Sequence, residues 1–181
     1  MSELIPPVTS RDHVRGDPSG LVTLVEFGDY ECPFCGKAYP VIQAVEEALG
    51  DRLRFAYRHF PIADAHPHAL LAAESAEAAD AQGMFWEMHD LLYEHQDALT
   101  WPDIMQYATT LGLDVEEFER DIRTHRFAAK VRADRHSGAL SGVNGTPTLF
   151  INGFRHDGPV DFDSLWSAIV DGAGAGFYGG A

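Results

Sequence analysis

The apolar positions of this chain follow two periods, and the switches between them divide it into elements. Residues 21–27 (LVTLVEF) are apolar and β-branched and lie between Gly20 and Gly28, which predicts a buried strand. A helix is expected over 33–49: Pro33 suits the first turn, where its missing N–H costs nothing, and Gly50 supplies the stop. Pro40 falls inside this helix and should kink it. Residues 53–60 (LRFAYRHF) alternate, with Leu53, Phe55 and Tyr57 on one face, Arg54 and Arg58 on the other, and Pro61 at the end. Strand, helix and strand in this order make a βαβ unit, so the two strands should pair in parallel through a right-handed crossover.

From 62 to 140 the pattern is helical. Segments 69–82 and 84–96 carry helical spacing, Thr100 with Asp103 and Asp114 with Glu117 open two further helices, and 127–140 is a fifth. Strand character returns at 148–151, followed by Asn152-Gly153, a two-residue hairpin turn whose positions tolerate φ > 0, and a returning strand over 154–157. Asp161 or Asp163 then caps a last helix carrying Leu165, Trp166, Ile169 and Val170. The expected architecture is α/β, in the order β-α-β then β-β-α, with an inserted all-helical subdomain. Its bounds are an N-terminal extension (1–17), a core (18–61 and 141–172), the insertion (62–140) and a loose Gly/Ala-rich tail (173–181).

Length and charge narrow the function. At 181 residues and 45% hydrophobic, the chain suits one elaborated globular domain. No apolar run approaches the ~18 residues of a membrane span, so no membrane partner is expected. Thirteen Lys+Arg against 28 Asp+Glu leave a net charge of −15, which repels nucleic-acid phosphates and removes them as partners. The first twenty residues have no basic start and no apolar core, so no secretory signal is predicted and a cytoplasmic location is expected.

The two cysteines fall together in Cys32-Pro33-Phe34-Cys35, directly after a strand and at a helix start. Disulfide exchange needs an accessible thiolate and a second thiol close enough to displace the mixed disulfide. Cys32 should sit exposed at the first turn, where the helix dipole and free N–H groups favour S⁻, with Cys35 one turn in beneath it. A CxxC pair is also half of a zinc site, but no second pair completes one within the chain, so no bound metal is expected. A metal or cluster shared across a dimer by an adaptor protein stays as the alternative. Glu26 lies mid-strand among apolar residues, which makes it either a proton acceptor for the Cys35 thiol or a strand-end carboxylate with solvent access. Gly145-Thr146-Pro147-Thr148 precedes a strand, either as a plain turn or with Thr146–Pro147 cis and Thr146 beside Cys32. The nine histidines show no metal-ligand spacing and read as surface or loop residues, while Arg58 and His59 fit either a substrate groove or the polar face of their strand.

These features together resemble the thioredoxin superfamily, and within it the DsbA-like thiol–disulfide oxidoreductases. The resemblance spans about 20 to 172 and is carried by LVEFGDYECPFC, Pro40, RHFPI and GVNGTPTLFING. It implies a nucleophilic Cys32, a resolving Cys35, a buried acid at Glu26, a cis-proline at Pro147 and a helical domain interrupting the core. It also implies exchange with peptide or small-molecule thiols and disulfides and with a partner oxidant or reductant. Thr146, Pro147 and Phe34 are the expected substrate contacts, and no cofactor is expected. Phe34 departs from the periplasmic oxidant type, which looks to have histidine there. Phe34 cannot donate a hydrogen bond to the thiolate, so strong oxidising power does not follow from the resemblance. Related glutathione-using transferases and isomerases share the insertion but lack a resolving pair.

Overall fold

The computed structural model describes residues 2–173. At its centre β2 (Val22–Gly28) and β3 (Leu53–His59) pair in parallel, with Val22 opposite Leu53 and Gly28 opposite His59. β4 (Thr148–Ile151) runs antiparallel to β2, and β5 (Phe154–Arg155) antiparallel to β4. β1 (His13–Gly16) closes the far edge antiparallel to β3, so the order is β1-β3-β2-β4-β5. Alternation sends β2 side chains into two cores. Val22 and Leu24 face the core beneath α1 (Pro33–Leu49), and Val25 and Phe27 join Ala56, Phe60 and Phe150 on the other face. By the same period Glu26 points under α1.

Helix α1 buries Cys35, Ala38, Ile42, Val45 and Leu49, a stripe at the spacing a core-facing helix requires, and Gly50 ends it at φ 51°. Pro40 lies on its exposed side. Between β3 and β4 come α2 (Ala69–Asp80), α3 (Phe85–Glu94), α4 (Trp101–Thr110), α5 (Val115–Arg123) and α6 (Ala128–Leu140). Asp103 accepts the Thr100 N–H at 2.9 Å, and Asp114 accepts the Glu117 N–H at 2.9 Å, so both expected helix starts are capped. Asp161, not Asp163, caps α7 (Phe162–Ala173) by accepting the Ser164 N–H at 2.9 Å. At the hairpin, Asn152 and Gly153 have φ of 50° and 87°.

Several expectations are corrected. The N-terminal extension is woven into the sheet: Glu3 bridges Phe154 at one edge, Leu4 enters the second core, and β1 completes the other edge. The returning strand stops at Arg155, two residues short of the expected end, although the His156 N–H still donates to the Leu149 carbonyl at 2.8 Å. Arg58 lies away from the cysteine pair, against a cleft shared with Asp12, Lys130 and Ser137. It is buried, and its guanidinium reaches Asp12 at 2.6 Å, the Pro6 carbonyl at 3.0 Å and Ser137 Oγ at 3.2 Å, because the N-terminal segment and α6 cover that face of the sheet. His59 and His89 are buried rather than superficial. The tail beyond Ala173 lies outside the described residues.

Candidate active site

The parallel strand β2 ends at Gly28, and after a three-residue loop Cys32 caps α1. Asp29 holds this short loop. Its buried carboxylate accepts the N–H groups of Glu31 (2.9 Å) and Ile62 (2.8 Å) and bonds His66 Nδ1 (2.8 Å), while its carbonyl accepts the Cys32 N–H at 3.1 Å. From beyond α3, Gln96 Nε2 donates to the Tyr30 carbonyl at 2.7 Å and the Cys32 carbonyl at 2.9 Å. That carboxamide packs so closely on Gly36 that a Cβ there would collide with it. The helical insertion therefore grips the redox loop at Gln96, and the 62–66 segment grips it at Asp29.

The two thiols sit in opposed environments. The Cys32 thiol is lowered to about 5, first by its hydrogen bond with the Cys35 thiol, against the opposing pull of burial, and then by Thr146 and the backbone N–H groups of Cys35 and Phe34. The helix start reinforces these donors. Cys35 is pushed well above its ordinary value by burial, by the bond to Cys32 and by the negative charge of Glu26. The expectation of an exposed Cys32 is corrected: only 3% of the residue reaches solvent. The Thr146 carbonyl lies 3.3 Å from its sulfur and helps to cover it.

In the thiol form Cys32 Sγ–H donates to that carbonyl. When the proton leaves, the carbonyl can only repel the sulfur, and the donors that remain are the neighbouring N–H groups, the Cys35 thiol and the Thr146 hydroxyl. That hydroxyl is buried without a hydrogen-bond partner in the thiol geometry, so it is free to turn to the thiolate. The Phe34 side chain is not needed as a donor, because these groups already serve the thiolate. Phe34 is 65% exposed, with Lys37 Nζ 5.7 Å from its ring centroid.

Glu26 is buried mid-strand, opposite Tyr57 on one side and Leu149 on the other, which rules out the solvent-accessible alternative. Burial, then the charges of Glu46 and Cys32, raise its carboxyl to about 8, and Oε1 has no hydrogen-bond partner. Beside the cysteine pair the Thr146–Pro147 peptide is cis. Phe34, Lys37, Ala38, Thr146, Pro147 and Val160 line an open cleft of about 360 Å³ there. The structure thus brings Cys32, Cys35, Glu26, Phe34, Thr146 and Pro147 to one end of the sheet. Asp29, Gly36, Lys37, His66 and Gln96 belong to the same site and carry no sequence signature.

One consequence is kinetic. In the reduced protein at pH 7, iodoacetamide should label Cys32 at least roughly 100-fold faster than Cys35, with the Cys32 rate rising through a midpoint near 5. Peptide mass spectrometry against time reads both rates. Equal labelling would overturn the asymmetry.

A parallel βαβ core, a CxxC pair capping the first helix and a helical insertion define a thioredoxin-fold redox site. The family model described as Thioredoxin matches residues 8–171, so the chain belongs to the thioredoxin family, and its insertion is of the DsbA-like kind. A thioredoxin-like oxidoreductase from Silicibacter pomeroyi is similar at 30% identity and TM-score 0.79, over 89% of this chain and 91% of that one. Oxidised BdbD from Bacillus subtilis shares the fold at 23% identity and TM-score 0.83, over 96% and 97%. A curated relative named Na(+)/H(+) antiporter NhaA 1, from Mycobacterium sp. (strain KMS), is 47% identical over 93% of this chain, yet the chain spans only 28% of that relative's length. Its name describes a far longer protein. Among the described residues no helix is long and apolar enough to cross a membrane.

Proposed function

We propose that this protein is a thiol–disulfide oxidoreductase that passes its Cys32–Cys35 disulfide to substrate thiols. The observation that carries this reading is the opposition between the two thiols. A nucleophile held near 5 is a stable thiolate and a good leaving group, while its partner is held protonated. Stabilising the thiolate stabilises the reduced form of the enzyme, and that makes the disulfide the stronger oxidant. A substrate thiolate attacks Cys32 Sγ, and Cys35 leaves and takes a proton. A second substrate thiolate then attacks the substrate sulfur of the mixed disulfide and displaces Cys32 as S⁻. The substrate leaves oxidised and the enzyme holds both electrons, so a partner oxidant must restore the disulfide.

The cleft fits an extended peptide better than a small thiol. Phe34, Pro147 and Val160 offer apolar contact, Lys37 offers a positive charge, and the Thr146 backbone can pair strand-like with a chain laid across it. The test is the reduction potential against glutathione. It should lie above that of the glutathione couple at pH 7, and a value below it would make the protein a reductant. Phe34→His should raise it further by adding a partly cationic donor near the thiolate, with each tenfold gain in oxidising equilibrium worth about 30 mV. An unchanged potential would mean that the four existing donors already saturate the sulfur.

A further inference from the structure

At the end of β3, behind Tyr30 of the redox loop, three elements bring metal-binding side chains to one point. His13 comes from β1, His59 from the end of β3 and Glu77 from α2. His13 Nε2 lies 2.7 Å and His59 Nε2 2.8 Å from the same oxygen, Glu77 Oε1, and the three ligand atoms all lie within 4.8 Å of one another. We propose that His13, His59 and Glu77 form a binding site for one divalent transition-metal ion, zinc by preference, which ties the N-terminal strand to the sheet and the helical insertion.

Four observations support the site. The donor set of two imidazoles and one carboxylate is one that zinc takes, with a fourth position left for water. Behind His13, Asp80 Oδ1 stands 3.4 Å from Nδ1, the outer carboxylate that orients a ligating imidazole and fixes its tautomer. The rings are held in place: His13 stacks on Phe85 at 3.5 Å between centroids, and His59 is enclosed edge-on by Tyr30, Tyr57 and Phe85. Finally, the pocket already draws a cation. Lys130 Nζ lies 3.7 Å from Glu77 Oε1 while its nearer partner is Asp134 Oδ2 at 2.7 Å. Glu77, Asp80 and Asp134 therefore set three carboxylates against one ammonium, in a chain of net charge −15.

Binding requires small movements. Zinc bonds of about 2.0–2.2 Å would spread the ligand atoms to roughly 3.3 Å apart, a side-chain adjustment from the present hydrogen-bonded contacts. Each imidazole must present Nε2 as a lone pair and carry its proton on Nδ1. For His13 that proton points to Asp80. For His59 it meets no hydrogen-bond acceptor and only aromatic neighbours, which weakens the site without closing it. Lys130 moves fully onto Asp134.

The test uses the full chain with Cys32–Cys35 oxidised, so that thiolates cannot compete for the metal. Titration with Zn²⁺ should give one ion per chain and a raised thermal midpoint, and Co²⁺ should give a visible ligand-field spectrum without thiolate charge-transfer bands. His13→Ala, at the sheet edge, and Glu77→Gln should each weaken binding at least tenfold. Lys130→Gln is the discriminating variant. If the cluster is only an ion-pair network, removing the ammonium leaves zinc uptake absent. If it is a metal site, removing the ammonium tightens zinc binding severalfold. No stoichiometric uptake by the oxidised protein, or uptake indifferent to both ligand variants, would overturn the proposal. None of these readouts depends on disulfide-exchange activity.

Discussion

A Cys35→Ser variant is expected to accumulate on its substrates as a mixed disulfide, and a Cys32→Ser variant to form none. Cys32 is a thiolate at neutral pH and can attack a substrate disulfide, whereas Cys35 is a buried thiol with its proton held well above the ordinary range. In the direction that reduces a substrate disulfide, Cys35 of the native chain, one helical turn away, should resolve the intermediate intramolecularly. Effective molarities for well-oriented groups reach roughly 10⁵ M, far beyond what millimolar external thiols supply. Without Cys35 the intermediate should persist, turnover should fall by about a thousandfold or more, and the adduct should be released by dithiothreitol. Non-reducing gels followed by mass spectrometry of the adduct would also identify the substrate. Adducts on Cys32→Ser, or none on Cys35→Ser, would reverse or remove the roles given to the two sulfurs.

The parts of this site that the sequence reveals are those built within one local pattern. The run from Leu21 into Cys32 joins a strand, a tight loop and a helix cap, so periodicity alone places both thiols and puts Glu26 among buried neighbours. The helix bounds at Pro33 and Gly50 follow from backbone chemistry that does not depend on the rest of the fold. The edge strand β1 is different. HVRG has no alternation to read, and it becomes a strand only because β3 offers an open edge and Asp12 offers Arg58 a partner.

Contacts between distant segments stay silent for the same reason. Gln96 reaches a carbonyl 64 residues earlier, and His13 and His59 meet Glu77 across 64 and 18 residues. Nothing in their local sequence separates them from surface side chains. The burial of Cys32 is not legible in the sequence, since the Thr146 carbonyl that covers it arrives from 114 residues away.

Glu26→Gln is expected to stabilise the fold by an amount that grows with pH, and to slow the steps in which Cys35 gains or loses a proton. The carboxyl is held near 8 in the folded chain, chiefly by burial, against 4.5 as its ordinary value. Because the folded value is the higher one, the native state binds more protons than the unfolded state between the two. Its contribution is therefore most favourable below 4.5 and is lost as pH rises through about 8. At about 1.4 kcal/mol per unit, the advantage of glutamine should be under about 1 kcal/mol at pH 5 and about 3 kcal/mol at pH 7, levelling off above pH 8. Urea denaturation of both proteins across that range reads the difference directly. A difference that stays flat with pH would mean that Glu26 ionises in the fold as it does in the open chain.

The kinetic effect has the same origin. At neutral pH most Glu26 carries its proton, so it can protonate Cys35 as the substrate displaces it from the disulfide. In the reverse direction its carboxylate can accept that proton when Cys35 attacks. Glutamine does neither. Stopped-flow measurement should show both steps slowed by about 10²-fold or more, with alkylation of Cys32 nearly unchanged. Stabilisation with normal Cys35 kinetics would leave Glu26 as a buried charge without a catalytic part.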